Sequence, residues 1–99
     1  MKAKKKFGQN FLVDRYFISK IIKEINPKEG NIILEIGPGK GAITNQILNK
    51  INHISVIEID PDMIKILKNN IRPKNISILA EDVLSINNEF FQKFNKIIG

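Results

Sequence analysis

Three carboxylates, Glu35, Glu58 and Asp82, each lie at or near the end of a short apolar run rich in isoleucine, and a glycine-rich turn follows the first. If the runs are parallel strands, their carboxyl ends open onto one crevice, the place where ligands bind in such sheets. Carboxylates gathered there accept hydrogen bonds from hydroxyls and amines and attract cations. The turn Gly37-Pro38-Gly39-Lys40-Gly41-Ala42 lacks a Cβ at positions 37, 39 and 41. It therefore permits φ > 0 where the chain reverses and lets a ligand lie close to the backbone.

Two ligand classes compete for this turn, and the glycines alone do not separate them. The spacing fits the dinucleotide fingerprint G-x-G-x-x-G/A, with Glu58 about 20 residues further on. Glu35, however, precedes the first glycine by two positions within the strand, a carboxylate where a pyrophosphate would be repelled. S-adenosyl-L-methionine carries a sulfonium, an α-amino group, a ribose diol and an adenine, and no phosphate, so its donors match a row of acceptors. Side chains alternate along a strand, so Glu58 and Asp60 point the same way. Glu58 is assigned to the ribose hydroxyls, and Asp60, followed by Pro61, to the N-cap of the next helix. One of Glu81 and Asp82 faces the crevice, where an acceptor could read the adenine N6 amine.

The elements that must hold these groups follow from periodicity. Asp14 reads as an N-cap, and Phe17, Ile18, Ile21, Ile22 and Ile25 fall on one helical face, with Ile18–Ile25 expected in the core and the helix ended by Asn26-Pro27 and Gly30. A strand over 31–36 leads into the glycine turn and a helix from Ala42 to about Lys50, burying Ile43, Ile47, Leu48 and Ile51. A strand over 54–59 precedes a helix over 61–70 with Met63, Ile64, Leu67 and Ile71 inward. A third strand spans 76–79, a turn or short helix starts at Asp82-Val83, Phe90, Phe91 and Phe94 are expected in the core, and a fourth strand opens at Lys96. The order is helix then βαβαβ, an α/β pattern for a doubly wound parallel sheet. Such a domain usually needs about 150 residues, so a chain of 99 residues is expected to be a piece cut after the start of the fourth strand.

Composition removes several chemistries. There is no cysteine, and His53 is the single histidine, expected in a surface loop. Thiolate nucleophiles and metal sites, disulfides and histidine-led triads are therefore not expected. No apolar run approaches the roughly 20 residues of a membrane span, and a cytoplasmic monomer without metal is expected. Lys2, Lys4, Lys5 and Lys6 supply four of the six net positive charges. They form either a solvated tail or a phosphate-binding arm. The following Phe7-Gly8-Gln9-Asn10-Phe11-Leu12 has no regular period; its rings could pack on the core while its amides stay free.

Taken together, Lys6-Phe7-Gly8-Gln9-Asn10-Phe11-Leu12, Leu34-Glu35-Ile36-Gly37-Pro38-Gly39-Lys40-Gly41, Val56-Ile57-Glu58-Ile59-Asp60 and Glu81-Asp82 resemble the successive motifs of the ribosomal RNA small-subunit adenine dimethyltransferases. The resemblance covers essentially the whole chain, and the Phe-Gly-Gln-Asn-Phe-Leu motif is its most specific part. It implies a Rossmann-like methyltransferase fold, S-adenosyl-L-methionine as cofactor, and methylation of N6 on two adjacent adenosines in the 3′-terminal hairpin of small-subunit rRNA. By position it implies that Asn10 and Leu12 contact the cofactor, that Gly37 lets the methionine moiety lie against the turn, that Glu58 binds the ribose, and that Asp82 binds the adenine amine. It places 1–13 as a basic N-terminal arm with a cofactor-contacting segment, its lysines expected to touch RNA, and 14–99 as the first part of the methyltransferase domain. The family's Asn-Leu-Pro-Tyr motif, which holds the target base, and its helical RNA-binding domain are not in this sequence, so no catalytic residue is expected here and the chain alone is expected to be inactive. The rival readings are an erythromycin-resistance-type large-subunit rRNA methyltransferase, a nicotinamide-binding oxidoreductase, and a non-catalytic RNA-binding module.

Overall fold

The computed structural model describes residues 15–99, so the readings made for Asn10, Leu12, Asp14 and the lysine arm lie outside the described residues. A helix, α1, runs over 15–25 within that range. It is followed by β1 (Ile33–Ile36), α2 (Ala42–Leu48), β2 (Ile54–Ile57), α3 (Pro61–Asn70), β3 (Ile76–Leu79), α4 (Asn88–Phe91) and β4 (Lys96–Ile98). Short 3₁₀ turns at Pro73–Asn75 and Val83–Ser85 flank β3. The strands form one parallel sheet in the order β3-β2-β1-β4. The chain steps outward from β1 to β3 and returns to the other side of β1 for β4, so the switch in direction falls between β1 and β4. A crevice at that point, at the carboxyl ends of the strands, is where this topology places a ligand.

Strands covered on both faces need apolar side chains on both, and β1 reads Ile33-Leu34-Glu35-Ile36 with its first three residues buried. One face meets α2 and α3. Ile33, Ile54, Val56 and Ile76 from the sheet join Ile47, Ile51, Leu67 and Ile71 in a single core. In the register, Glu35 lies beside Val56 and Ile98, and Val56 lies beside Ile78. Glu35 is thus the polar member of an otherwise aliphatic row beneath the helices.

The ends of the elements have local causes. The Asp60 side chain accepts from the Asp62 N–H and Pro61 opens α3, as the sequence predicts. Strand β1 starts two residues later than expected, because Asn31 folds back on Lys28 through its side chain (2.8 Å) and its N–H (2.9 Å). Helix α1 ends at Asn26, whose φ of 49° turns the chain left-handed. Its last carbonyls, Ile25 and Asn26, each accept from the Lys96 ammonium at 2.7 Å, a cation at the negative end of the helix.

Two core assignments are corrected. On α1, Ile22 and Ile25 pack against the core, but Phe17 and Ile21 are exposed. The helix seats through one edge of its apolar stripe, and the other edge borders a cavity. Phe90, Phe91 and Phe94 are only half-buried. They pack on one another, with ring centroids 5.7 and 5.3 Å apart around Phe90.

Candidate functional site

Strand β1 delivers the chain to the glycine turn. The Gly37 N–H still bonds the Ile57 carbonyl at 2.9 Å, so the turn begins in register with β2. Gly37, Gly39 and Gly41 all have positive φ, at 67°, 59° and 92°. A Cβ added at Gly37 or Gly39 would meet nothing within 4 Å, which leaves the backbone open to an incoming ligand. Gly41 has a different reason. A Cβ there would stand 2.9 Å from Leu67 Cδ2, so its absence lets α3 close on the start of α2.

Glu58 follows directly after β2 and is buried. Its Oε1 accepts the Gly39 N–H at 3.3 Å and its Oε2 accepts the Asp60 N–H at 3.1 Å. The two bonds fix the carboxylate against the turn and leave each oxygen a further lone pair for a hydroxyl donor. Glu58 and the glycine turn are therefore one unit, joined by a direct hydrogen bond. Asp82 lies beyond the carboxyl end of β3, exposed, and its Oδ1 accepts the Leu84 N–H at 3.0 Å as the cap of a 3₁₀ turn. Among the described residues no hydrogen bond joins it to Glu58, and its other oxygen stays available at the rim.

Glu35 is 4% exposed, and its Oε1 accepts the Thr44 hydroxyl. Burial pushes its carboxyl above the usual value of 4.5, and the Thr44 hydrogen bond pulls the other way. It borders a cavity of about 520 Å³ between α1, the turn and β4, lined also by Phe17, Ile21, Gly37, Pro38 and Ile98. Phe17 and Ile21 are exposed because they face this opening. The sequence reading missed Thr44, which is fully buried. A signal was available: Thr44, Ile47, Leu48 and Ile51 repeat at the spacing of one helical face, and a hydroxyl stands where an apolar residue belongs. Ile59 and Leu84, 63% and 89% exposed on the loops after β2 and β3, were not singled out either. They are large apolar side chains at the same end of the sheet as the carboxylates.

His53 lies at the opposite end of β2, exposed, with Nε2 2.8 Å from Ser77 Oγ, in keeping with its surface reading. Among the described residues no group of three metal-ligating side chains forms, and no helix is long and apolar enough to cross a membrane.

A parallel sheet in this order, with a glycine turn after β1 and an acidic residue after β2, is a Rossmann-like fold, and its similarity to solved rRNA methyltransferases assigns it to the S-adenosylmethionine-dependent methyltransferase form of that fold. A dimethyladenosine transferase from Plasmodium falciparum superposes with a TM-score of 0.69 at 27% identity, over 84% of this chain and 30% of that one. The 23S rRNA methyltransferase ErmE gives 0.64 at 27% identity, over 74% of this chain and 30% of its own. The chain belongs to the ribosomal RNA adenine dimethylase family, whose model matches residues 1–96. It is 45% identical over 86 residues to the ribosomal RNA small subunit methyltransferase A of Mycoplasma capricolum, 87% of this chain and 32% of that protein. It thus spans about a third of the length of the curated relatives it matches.

Proposed function

We propose that this chain binds S-adenosyl-L-methionine for the dimethylation of N6 on adjacent adenosines of small-subunit rRNA. The observation that carries the reading is Glu58, a buried carboxylate held by two backbone N–H groups against an open glycine turn. Its free lone pairs suit the ribose diol. Asp82 keeps one oxygen for the adenine amine, and the exposed Ile59 and Leu84 offer apolar surface to the faces of the ring. Gly37 lets the amino-acid end lie on the backbone, and Glu35 supplies negative charge near it. Asn10 and Leu12 join the cofactor contacts from the N-terminal segment, by their match to the family's motif.

When bound, S-adenosyl-L-methionine supplies a methyl group carried on a positively charged sulfur. The residues here bind and orient; transfer to an amine needs positioning and electrostatics more than a strong base, and no catalytic residue is assigned to this chain. The partner is small-subunit rRNA in the assembling particle, approached with the help of the lysine arm, and the protein acts as a cytoplasmic monomer. The name of the Mycoplasma capricolum relative supports the small-subunit reading, and the family model supports dimethylation of adenine in ribosomal RNA.

Calorimetric titration tests the cofactor. Saturable binding of S-adenosyl-L-methionine, with no heat from NADH, is the expected result. Binding of NADH in its place would overturn the reading, because the dinucleotide pattern would then have been the correct one.

A further inference from the structure

A carboxylate in an aliphatic row is costly to bury unless its oxygens are partnered. Glu35 has one partner among the described residues, the Thr44 hydroxyl on Oε1. Thr44 sits in the first turn of α2, directly over β1, with no exposed surface of its own. No buried side-chain oxygen or nitrogen among the described residues lacks a partner, so Oε2, which takes no hydrogen bond there, is not sealed in. It opens to the cavity beside the glycine turn. Among the described residues the charged side chains bordering that cavity are Glu35 and Lys40; the faces presented by α1, α2 and β4 are apolar, with Phe17, Ile43 and Ile98 among them. One oxygen is thus occupied and the other is directed at the space next to Gly37.

We propose that Thr44 is a positioning residue for cofactor binding: by holding Oε1 of Glu35 it turns Oε2 toward the cavity to receive the ammonium of the cofactor's amino-acid end. This role rests on the S-adenosyl-L-methionine reading above. The hydroxyl also favours the ionised carboxylate, offsetting part of the effect of burial. A valine at 44 would fill the same volume and donate nothing.

The test uses the wild-type chain with Thr44→Val, Thr44→Ser, Glu35→Gln and the Thr44→Val/Glu35→Gln double variant, each first shown to be folded by circular dichroism. Each is titrated calorimetrically with S-adenosyl-L-methionine and with 5′-methylthioadenosine, which keeps the adenine, ribose and sulfur but has no amino-acid end. Thr44→Val is expected to weaken the first ligand roughly tenfold, the scale of one charge-assisted hydrogen bond, and to leave the second unchanged. Thr44→Ser restores binding, and Thr44→Val causes no further loss once Glu35 is Gln. In the ligand-free chain, a ¹³C titration of the Glu35 carboxyl moves to higher pH in Thr44→Val. Equal weakening of both ligands, an undiminished loss in the Glu35→Gln background, or unaltered binding by Thr44→Val overturns the role. A wild type that binds neither ligand would instead bring down the cofactor reading, and this role with it.

Discussion

Glu58 does two jobs with one carboxylate: it ties the glycine turn to β2 and it is the proposed acceptor for the ribose. Glu58→Gln retains the size but replaces one acceptor oxygen with an NH₂ donor, which faces either the Gly39 or the Asp60 N–H. Loss of about tenfold or more in S-adenosyl-L-methionine affinity is expected, with a fall of a few degrees in Tm from the unpaired backbone donor. Calorimetry and a thermal melt read the two effects separately. Glu58 and the turn glycines were legible because a carboxylate is unusual at the end of an apolar strand and alternate glycines at 37, 39 and 41 mark a tight turn open to a ligand. Thr44 was not, since a threonine in a helix is ordinary until the residue above which it sits is known. Asp82 was legible as an acceptor at a strand end, but its commitment of one oxygen to the Leu84 N–H depends on a 3₁₀ turn that no period announces.

Among the elements, α3 matched its expected bounds because both its start and its stop are written locally, in Asp60-Pro61 and in Arg72-Pro73. Helix α1 is the contrary case. Its stop is local, but the partner for its last carbonyls is Lys96, 71 and 70 residues away from the two acceptors. The same lack of local signal explains Phe17 and Ile21, whose spacing is helical and whose environment is decided by where α1 seats. Lys96→Met keeps much of the apolar stem and removes the donor. It is expected to cost about 1 kcal/mol, with hydrogen exchange quickening in the last turn of α1 and at the Asn95–Ile32 junction, where Asn95 bonds Ile32 through both backbone and side chain. Unchanged protection of α1 would show that the ammonium contributes nothing there.

For the whole molecule, the buried carboxyl at Glu35 sets a dependence of stability on pH. Its pKa is raised on folding, so the native state holds this proton more tightly than the unfolded chain. The stabilisation that this gives is complete below the ordinary value of 4.5 and is lost as pH rises through the raised value. Above the raised value the ionised group is a cost. Glu35→Gln, which can still accept from Thr44, is therefore expected to melt higher than wild type at pH 7, with the advantage closing as pH falls through the raised value towards 4.5; thermal melts across that range decide it. If the two melts stayed parallel at every pH, Glu35 would not carry this cost. The protein then accepts a weaker fold in exchange for negative charge beside the turn. The α/β class and the strand sequence were readable from alternating runs, yet the side of β1 on which β4 adds comes only from the sheet itself.

The bond from Lys96 to the end of α1 also has a consequence for the order in which the protein takes shape during translation. The first helix leaves the ribosome early, but the residue that caps it is 71 positions behind the Ile25 carbonyl. At roughly 5–20 residues per second that is a wait of several seconds. Through it β1 can gain β2 and then β3 on one side, while its other edge stays open until β4 emerges with Lys96. The nascent chain can therefore complete the turn and the Glu58 clamp before the last carbonyls of α1 gain their partner, and β4 is the strand that brings it.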